Sequence, residues 1–183
     1  MIGCVERVPR SDVEILDVGA GPITALGKTH PGRTLHITAV DPLADAYAEL
    51  LREADVTPPV TTQPCAGEDV ARRFGPAHFD IAHARNSVDH SADPVAIVEA
   101  MLEVVRPGGF VVLRHYRNEA EVERYEELHQ WNFDVRDGAL WLWNRRNEVD
   151  LNERLAGRAT ITASIEGGSD HAPWVVAELA KPA

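Results

Sequence analysis

Lysine, cysteine, methionine and long apolar runs are all scarce in this chain of 183 residues, and each scarcity excludes something. The two cysteines, Cys4 and Cys65, cannot build a disulfide framework and do not stand at metal-ligand spacing. They read as one thiol near the terminus and one buried small hydrophobe. No H-E-x-x-H motif occurs, so no metal is expected. No stretch approaches the ~18 consecutive apolar residues of a membrane helix. Met1 to Arg7 contains an acid and a base where a secretory signal needs an apolar run, so a cytoplasmic protein is expected. Lys28 and Lys181 are the only lysines, and 18 basic residues face 29 acidic ones, for a net charge of −11. So acidic a surface repels phosphate backbones, which makes nucleic acid a poor partner.

What is present fits a soluble globular chain. Hydrophobic residues make up 44% and charged residues 26%, and the length suits one domain over residues 1–183. Apolar runs alternate with helical stretches. Strands are expected at Val13–Val18, Leu35–Val40, Val60–Cys65, His78–Ala84 and Phe110–His115. Helices are expected from Pro22 to about His30, Asp45 to Ala54, up to Phe74, Asp93 to Val105, and Glu119 to about His129. Val95, Val98, Met101, Leu102 and Val105 make one buried face of the fourth helix, and Pro107-Gly108-Gly109 ends it. The pattern then changes. Asp137-Gly138 between Trp131–Val135 and Ala139–Trp143 predicts a hairpin, followed by a short helix near Asp150–Leu155. Two final strands, Ala159–Ile165 and Trp174–Leu179, flank Gly167–Asp170 and are expected antiparallel. The fold class is therefore α/β: a Rossmann-like, doubly wound sheet, mostly parallel, with an antiparallel final strand pair.

In such sheets ligands bind beyond the carboxyl ends of the strands. The first strand ends in Asp17-Val18-Gly19-Ala20-Gly21-Pro22, where glycine lets the backbone turn tightly and approach a ligand. A dinucleotide site would show G-x-G-x-x-G, but Thr24 holds the last position, and Asp17 suits a cationic amino group better than a diphosphate. Asp41 ends the second strand and can accept from both hydroxyls of a ribose, in a nicotinamide or a sulfonium cofactor alike. Ala66-Gly67-Glu68 follows the third strand. Its small residues admit a flat base, and a carboxylate can accept from an amino group.

Taken in order, Ile15-Leu16-Asp17-Val18-Gly19-Ala20-Gly21, Val40-Asp41-Pro42, Phe79-Asp80-Ile81 and Val105-Arg106-Pro107-Gly108-Gly109-Phe110 resemble the motif set of class I S-adenosylmethionine-dependent methyltransferases of the small-molecule type. The usual third glycine is replaced by Ile23. The resemblance implies S-adenosyl-L-methionine as cofactor and S-adenosyl-L-homocysteine as product. It implies that Asp17 orients the methionine amino group above Gly19 and Gly21, and that Asp41 holds the ribose. Pro42 or Leu43 would pack on adenine, Gly67 and Glu68 would edge it, and Ala84 with Arg85 would lie near the methionyl group.

The partner implied is a small-molecule acceptor, methylated at oxygen, rather than nucleic acid or a membrane. The segment His83 to Pro94 lies where the family places the acceptor. His90 is the first candidate base, with Asp89 or Asp93 to orient it, and His115 the second. Bland roles stand beside these: Ser91 or Asp93 as a helix cap, His90 as a loop residue, His83 as a satisfied sheet residue. Arg85, Arg114, Arg117, Arg145 and Arg146 would favour an anionic acceptor if they gathered, and otherwise form a solvated surface. Trp141 and Trp143 share a hairpin face that lines a pocket or covers core. Only 12 residues precede Val13, so the N-terminal cover common in the family is expected to be missing, reduced, cut away or supplied by a partner, and residues 131–155 are a candidate substitute. Two other readings stay open: a nicotinamide-dependent oxidoreductase, and a non-catalytic module that binds the same cofactor.

Overall fold

The computed structural model describes residues 2–167 and 173–183. In chain order it contains α1 (Ile2–Arg7), β1 (Asp12–Val18), β2 (Thr34–Asp41), α2 (Ala44–Glu53), β3 (Thr62–Pro64), α3 (Val70–Phe74), β4 (Phe79–Arg85) and α4 (Pro94–Val104). Then follow β5 (Val105–Tyr116), α5 (Glu119–Val122), β6 (Asn132–Arg136), β7 (Ala139–Trp143), β8 (Glu148–Asp150), α6 (Leu151–Arg154), β9 (Thr160–Glu166) and β10 (Trp174–Ala180). Single 3₁₀ turns occupy Gly67–Asp69 and Val88–His90.

The main sheet has seven strands in the order β3-β2-β1-β4-β5-β10-β9. The pairs β1–β2, β2–β3, β1–β4 and β4–β5 are parallel, while β10 runs antiparallel to both β5 and β9. Strand order reverses between β1 and β4, so the carboxyl ends of those strands form the switch point at which open sheets take ligands. The expected strand pair at the end of the chain is antiparallel, although residues 168–172 of its connection lie outside the described residues. The expected hairpin forms β6 and β7, and β8 completes a separate three-stranded sheet.

Alternation along β1 divides the core in two. Leu16 and Val18 face a cluster that includes Met101 and Leu102 of α4, together with Phe133, Leu140, Leu142 and Leu151 of the small sheet and α6. The small sheet therefore shares the main core. Trp141 and Trp143 point the other way: the Arg136 guanidinium lies over both rings, and Trp143 donates its indole N–H to Asn118 Oδ1. Val13 and Ile15 face a smaller cluster with Cys4, Val5 and Val8 of the N-terminal segment, Leu26, Ile81, Phe110 and Val112.

That second face departs from expectation. Residues 22–30 form no helix. Thr24 donates to Asp17 and accepts from the Leu26 N–H, and Lys28 Nζ donates to the carbonyls of Thr24 and Leu26. These local bonds occupy backbone groups that a helix would have used. The short α1 supplies cover instead. Arg33 donates to the carbonyls of Glu6 within α1 and of Val8 and Arg10 just beyond it, and Glu178 of β10 takes Arg7 and the Cys4 thiol.

The expected helix from Glu119 to His129 shrinks to the single turn of α5. Glu119, Glu123 and Glu127 are spaced i,i+4, which sets like charges together on a helix. Arg124, Tyr125 and Glu127 take positive φ, and the Gln130 side chain donates to the carbonyls of Tyr125 and Glu127. The cysteine reading is also reversed. Cys4 is the buried thiol and Cys65 is only partly covered.

Burial, with Glu178 beside it, pushes the Cys4 thiol up to about 11. Ellman's reagent at pH 8 will therefore modify Cys65 first and Cys4 only on unfolding. Because the folded chain keeps the Cys4 proton that the unfolded chain releases near its ordinary value of 9, stability will fall as pH rises between those values, and Cys4→Ala will remove this component of the slope. At Gly109, a Cβ would lie 2.5 Å from the Asp80 carbonyl oxygen and 2.7 Å from Val105 Cγ1. Gly109→Ala should cost about 1–3 kcal/mol in urea unfolding.

Candidate functional site

At the end of β1 the chain reverses through Gly19 and Gly21, at φ +67° and +66°. Both are in the left-handed region that side chains avoid. The Gly19 and Ala20 N–H groups donate to the Val40 carbonyl at 2.9 and 3.0 Å. Asp41 closes the turn: its Oδ2 accepts from the Gly21 N–H at 3.0 Å and its Oδ1 from the Leu43 N–H at 2.9 Å. Thr62 of β3 donates to the Gly21 carbonyl at 2.8 Å. Ser87 closes the other side, where its Oγ donates to the Val18 carbonyl. A Cβ on Gly19 would sit 2.4 Å from Ser87 Cβ and Oγ.

Beside this loop lies a cleft of about 240 Å³ over the switch point. Gly19, Pro42, Gly67 and Glu68, four of the residues expected to bind cofactor, line it, together with Ser87, Val88, His90 and Ile97. Gly67 packs against Ile97, whose Cδ1 a Cβ there would meet at 2.9 Å. The cleft is walled by small and apolar groups and ends in polar ones, the pattern of a small-molecule site.

The other expected residues sit differently. Asp41 anchors the loop as described. Asp17 is buried on the face opposite the larger core: its Oδ1 is 2.7 Å from His83 Nδ1, and its Oδ2 takes the Thr24 hydroxyl. Leu43 is 52% exposed. Ala84 is buried in β4 between β1 and β5. Arg85 and Arg114 both lie over the Trp174 ring and border a separate hollow with His83 and Glu166. Of the other arginines, Arg117 pairs with Asp134 and Arg145 covers Tyr125.

The catalytic candidates converge at the edge of the cleft. The turn Val88–His90 carries Asp89, whose side chain is 2% exposed. Its Oδ2 is 3.3 Å from His90 Nε2 and 3.3 Å from His129 Nδ1, and those two nitrogens are 3.2 Å apart. Its Oδ1 is 3.4 Å from His115 Nδ1. His115 is fully buried and stacks on Phe133 at 4.0 Å, so it backs Asp89. Asp93 serves as the N-cap of α4, accepting from the Ala96 N–H. Burial, reinforced by His129 and His115, holds His90 below its ordinary pKa despite Asp89. Burial alone would raise Asp89, but the surrounding histidines outweigh it and hold the carboxyl low. Burial and Asp89 push Glu119 up.

The sequence reading gave no site role to His129 and Glu119, the ends of an expected helix, or to Ser87 and Thr24 individually. His129 lies 39 residues beyond His90 in an irregular segment, and no local pattern joins them.

A family model for a methyltransferase domain matches residues 5–156. The 2-methyl-6-phytyl-1,4-hydroquinone methyltransferase of Synechocystis is 27% identical over 90% of this chain and 50% of its own length. The ubiquinone biosynthesis O-methyltransferase of Xylella fastidiosa is 33% identical over 57% of this chain and 42% of its own. The chain thus spans half or less of the length of these curated relatives. In fold it is similar to Haemonchus contortus phosphoethanolamine N-methyltransferase 2, solved with phosphomonomethylethanolamine and S-adenosylhomocysteine. The TM-score is 0.63 at 15% identity, over 100% of this chain and 52% of that one. Among the described residues no helix is long and apolar enough to cross a membrane.

The contact between Gly19 and Ser87 generates a test. Gly19→Ala should cost about 1–3 kcal/mol for the clash and about 1–2 kcal/mol for the left-handed backbone, read by urea unfolding. Adding Ser87→Gly should recover the first part and leave the second.

Proposed function

Because the chain belongs to the methyltransferase domain family, we propose that it transfers a methyl group from S-adenosylmethionine to the oxygen of a small hydroxylated aromatic acceptor. The observation that carries this reading is the cleft at the switch point, with the Asp41-anchored glycine loop on one side and Asp89 and His90 on the other. The names of the hydroquinone and ubiquinone relatives supply the acceptor class and, for the second, the oxygen.

The cleft fits the nucleoside. Gly67 and Ala66 leave room for a flat ring, Pro42 offers an apolar face, and Glu68 stands at the rim. Each Asp41 oxygen accepts one N–H and keeps a second lone pair for a ribose hydroxyl. Asp17 acts on the methionine end through the loop it holds with Thr24 and His83.

When bound, S-adenosylmethionine supplies a methyl group on a sulfonium, which an acceptor oxygen takes in line as the S–C electron pair returns to sulfur. The protein's part is alignment, exclusion of water and removal of the hydroxyl proton. His90 is at the cleft edge with its Nε2 toward Asp89. Held below its ordinary pKa, it is neutral at pH 7 and able to accept that proton. Asp89 then stabilises the cation, and His115 positions Asp89 from behind. Among the described residues, none of 131–155 lines this cleft; Phe133 bears on it only through its stack on His115, behind Asp89.

Calorimetric titration with S-adenosylhomocysteine should saturate, titration with NAD should not, and Asp41→Ala should abolish the first. On a panel of catechols and hydroquinones, His90→Ala should lower the methylation rate by about 10²–10⁴-fold while nucleoside affinity stays within a few-fold. An unchanged rate would remove His90 from the reaction, and saturable binding of NAD alone would overturn the cofactor.

A further inference from the structure

The three atoms at the edge of the cleft, Asp89 Oδ2, His90 Nε2 and His129 Nδ1, form a nearly equilateral triangle with sides of 3.2, 3.3 and 3.3 Å. Hydrogen bonding does not explain such a figure. A carboxylate oxygen is an acceptor only, and a neutral imidazole nitrogen is either a donor or an acceptor. Two sides can be hydrogen bonds if both imidazoles donate to Asp89 Oδ2, but the side between the nitrogens then opposes two N–H groups; with neither nitrogen protonated, all three atoms offer lone pairs. Lone pairs that converge from three directions share a cation.

The charge around the triangle points the same way. Asp89 Oδ1 and Glu119 Oε2 are buried with no hydrogen-bond donor from the protein, and Glu119 Oε2 lies 3.9 Å from His129 Nδ1. The other Glu119 oxygen accepts only from Asn86 Nδ2, at 3.3 Å. Buried carboxylate oxygens without donors are costly unless a positive charge compensates them. The arginines of this region are engaged elsewhere: Arg117 with Asp134, Arg145 over Tyr125, Arg85 and Arg114 over Trp174.

We propose that Asp89, His90 and His129 bind a divalent transition-metal cation of the zinc type, with Glu119 next to the site. The side lengths match a tetrahedral centre, and the donor types carry the choice of metal. A tetrahedral centre with ligand bonds of about 2.0 Å holds neighbouring ligand atoms about 3.3 Å apart. An octahedral centre of the magnesium kind, with bonds of about 2.0–2.1 Å, holds them about 2.8–3.0 Å apart and prefers oxygen ligands. Two imidazoles with one carboxylate is a ligand set for zinc and its neighbours. His115, locked by its stack on Phe133, packs 3.4 Å from Asp89 Oδ1 and holds the carboxylate in place by contact rather than by a hydrogen bond.

Three protein ligands leave the fourth position open, and the His90 and His129 side chains remain 32% and 25% exposed. An acceptor hydroxyl or water reaches that position from the cleft that His90 lines. Metal binding stands on the triangle alone. A role in activating an acceptor rests on the methyltransferase reading above: the bound oxygen loses its proton to water at a lowered pKa and keeps the electron pair that attacks the methyl group. The cation then takes the lone pair that His90 otherwise offers to a proton.

The test strips the whole chain with EDTA and titrates it with Zn(II) by calorimetry, then with S-adenosylhomocysteine on the same sample. We expect one equivalent of Zn(II). His129→Ala and Asp89→Asn should each weaken its binding by roughly 100-fold or more. Co(II) in place of zinc should give the intense visible bands of a tetrahedral site, and His129→Ala should lose them. Absence of Zn(II) uptake by the unaltered chain, uptake unchanged in His129→Ala, or a weak octahedral Co(II) spectrum would each overturn the site. Zinc uptake without nucleoside binding supports the metal site and overturns the cofactor cleft. Nucleoside binding without zinc uptake does the reverse.

Discussion

The Asp41 carboxylate is the constraint on which the rest of the site depends. It ends β2 and receives two backbone N–H groups, one from the glycine loop after β1 and one from its own turn. That single side chain ties the two strand ends on either side of the cleft into one rigid corner. A carboxylate suits the task because it is acceptor-only and carries more lone pairs than two N–H groups consume. The loop it holds is also drawn down by the Val40 carbonyl and by Thr62, and it meets Ser87 so closely that only glycine fits at position 19. The floor of the cleft is thus set by main-chain geometry, and the side chains around it need only be small.

The two faces of the sheet divide the labour. The face toward α4 is deeply packed and carries the small sheet β6-β7-β8, whose Phe133 also fixes His115. The opposite face is covered by a six-residue helix and an irregular loop, held by Arg33, Glu178 and Lys28 through side-chain bonds to backbone and thiol. Apolar cover is thinner there, and polar tethers take its place. The Asp17–His83–Thr24 group belongs to that face. It couples the thin cover to the glycine loop, so the loop is braced from below as well as by Asp41 from the side.

Asp89 plays the corresponding part on the other side of the cleft. One oxygen faces His115 from within the core and the other faces His90 and His129 at the cleft. A single buried carboxylate therefore joins the interior to the edge of the cleft. The same geometry serves a proton shared among three donors of electron pairs or a metal ion bound by all of them. The difference lies only in which cation fills the vertex.

Much of this was written in the chain order. Alternating apolar runs and glycine punctuation specify the parallel strands, the Asp137-Gly138 hairpin and the final antiparallel pair, because strand and turn preferences are local. Asp17, Gly19, Gly21, Asp41 and Gly67 stand out for the same reason: each ends a strand or turns the chain. Local preference misled where longer-range groups compete. Pro22 suggested a helix, but Asp17 captures Thr24 and Lys28 takes nearby carbonyls. Glu119 to His129 looked helical, yet repelling glutamates and the Gln130 contacts break it after one turn. That broken helix is what carries His129 to Asp89. The meeting of Asp89, His90, His115, Glu119 and His129 joins four separate segments, and no spacing in sequence encodes it. The chain by itself determined the sheet and its ligand-facing strand ends, since those follow from periodicity. Only the tertiary structure decided which polar groups share one buried volume, since that depends on how distant segments pack and which charges they leave without partners.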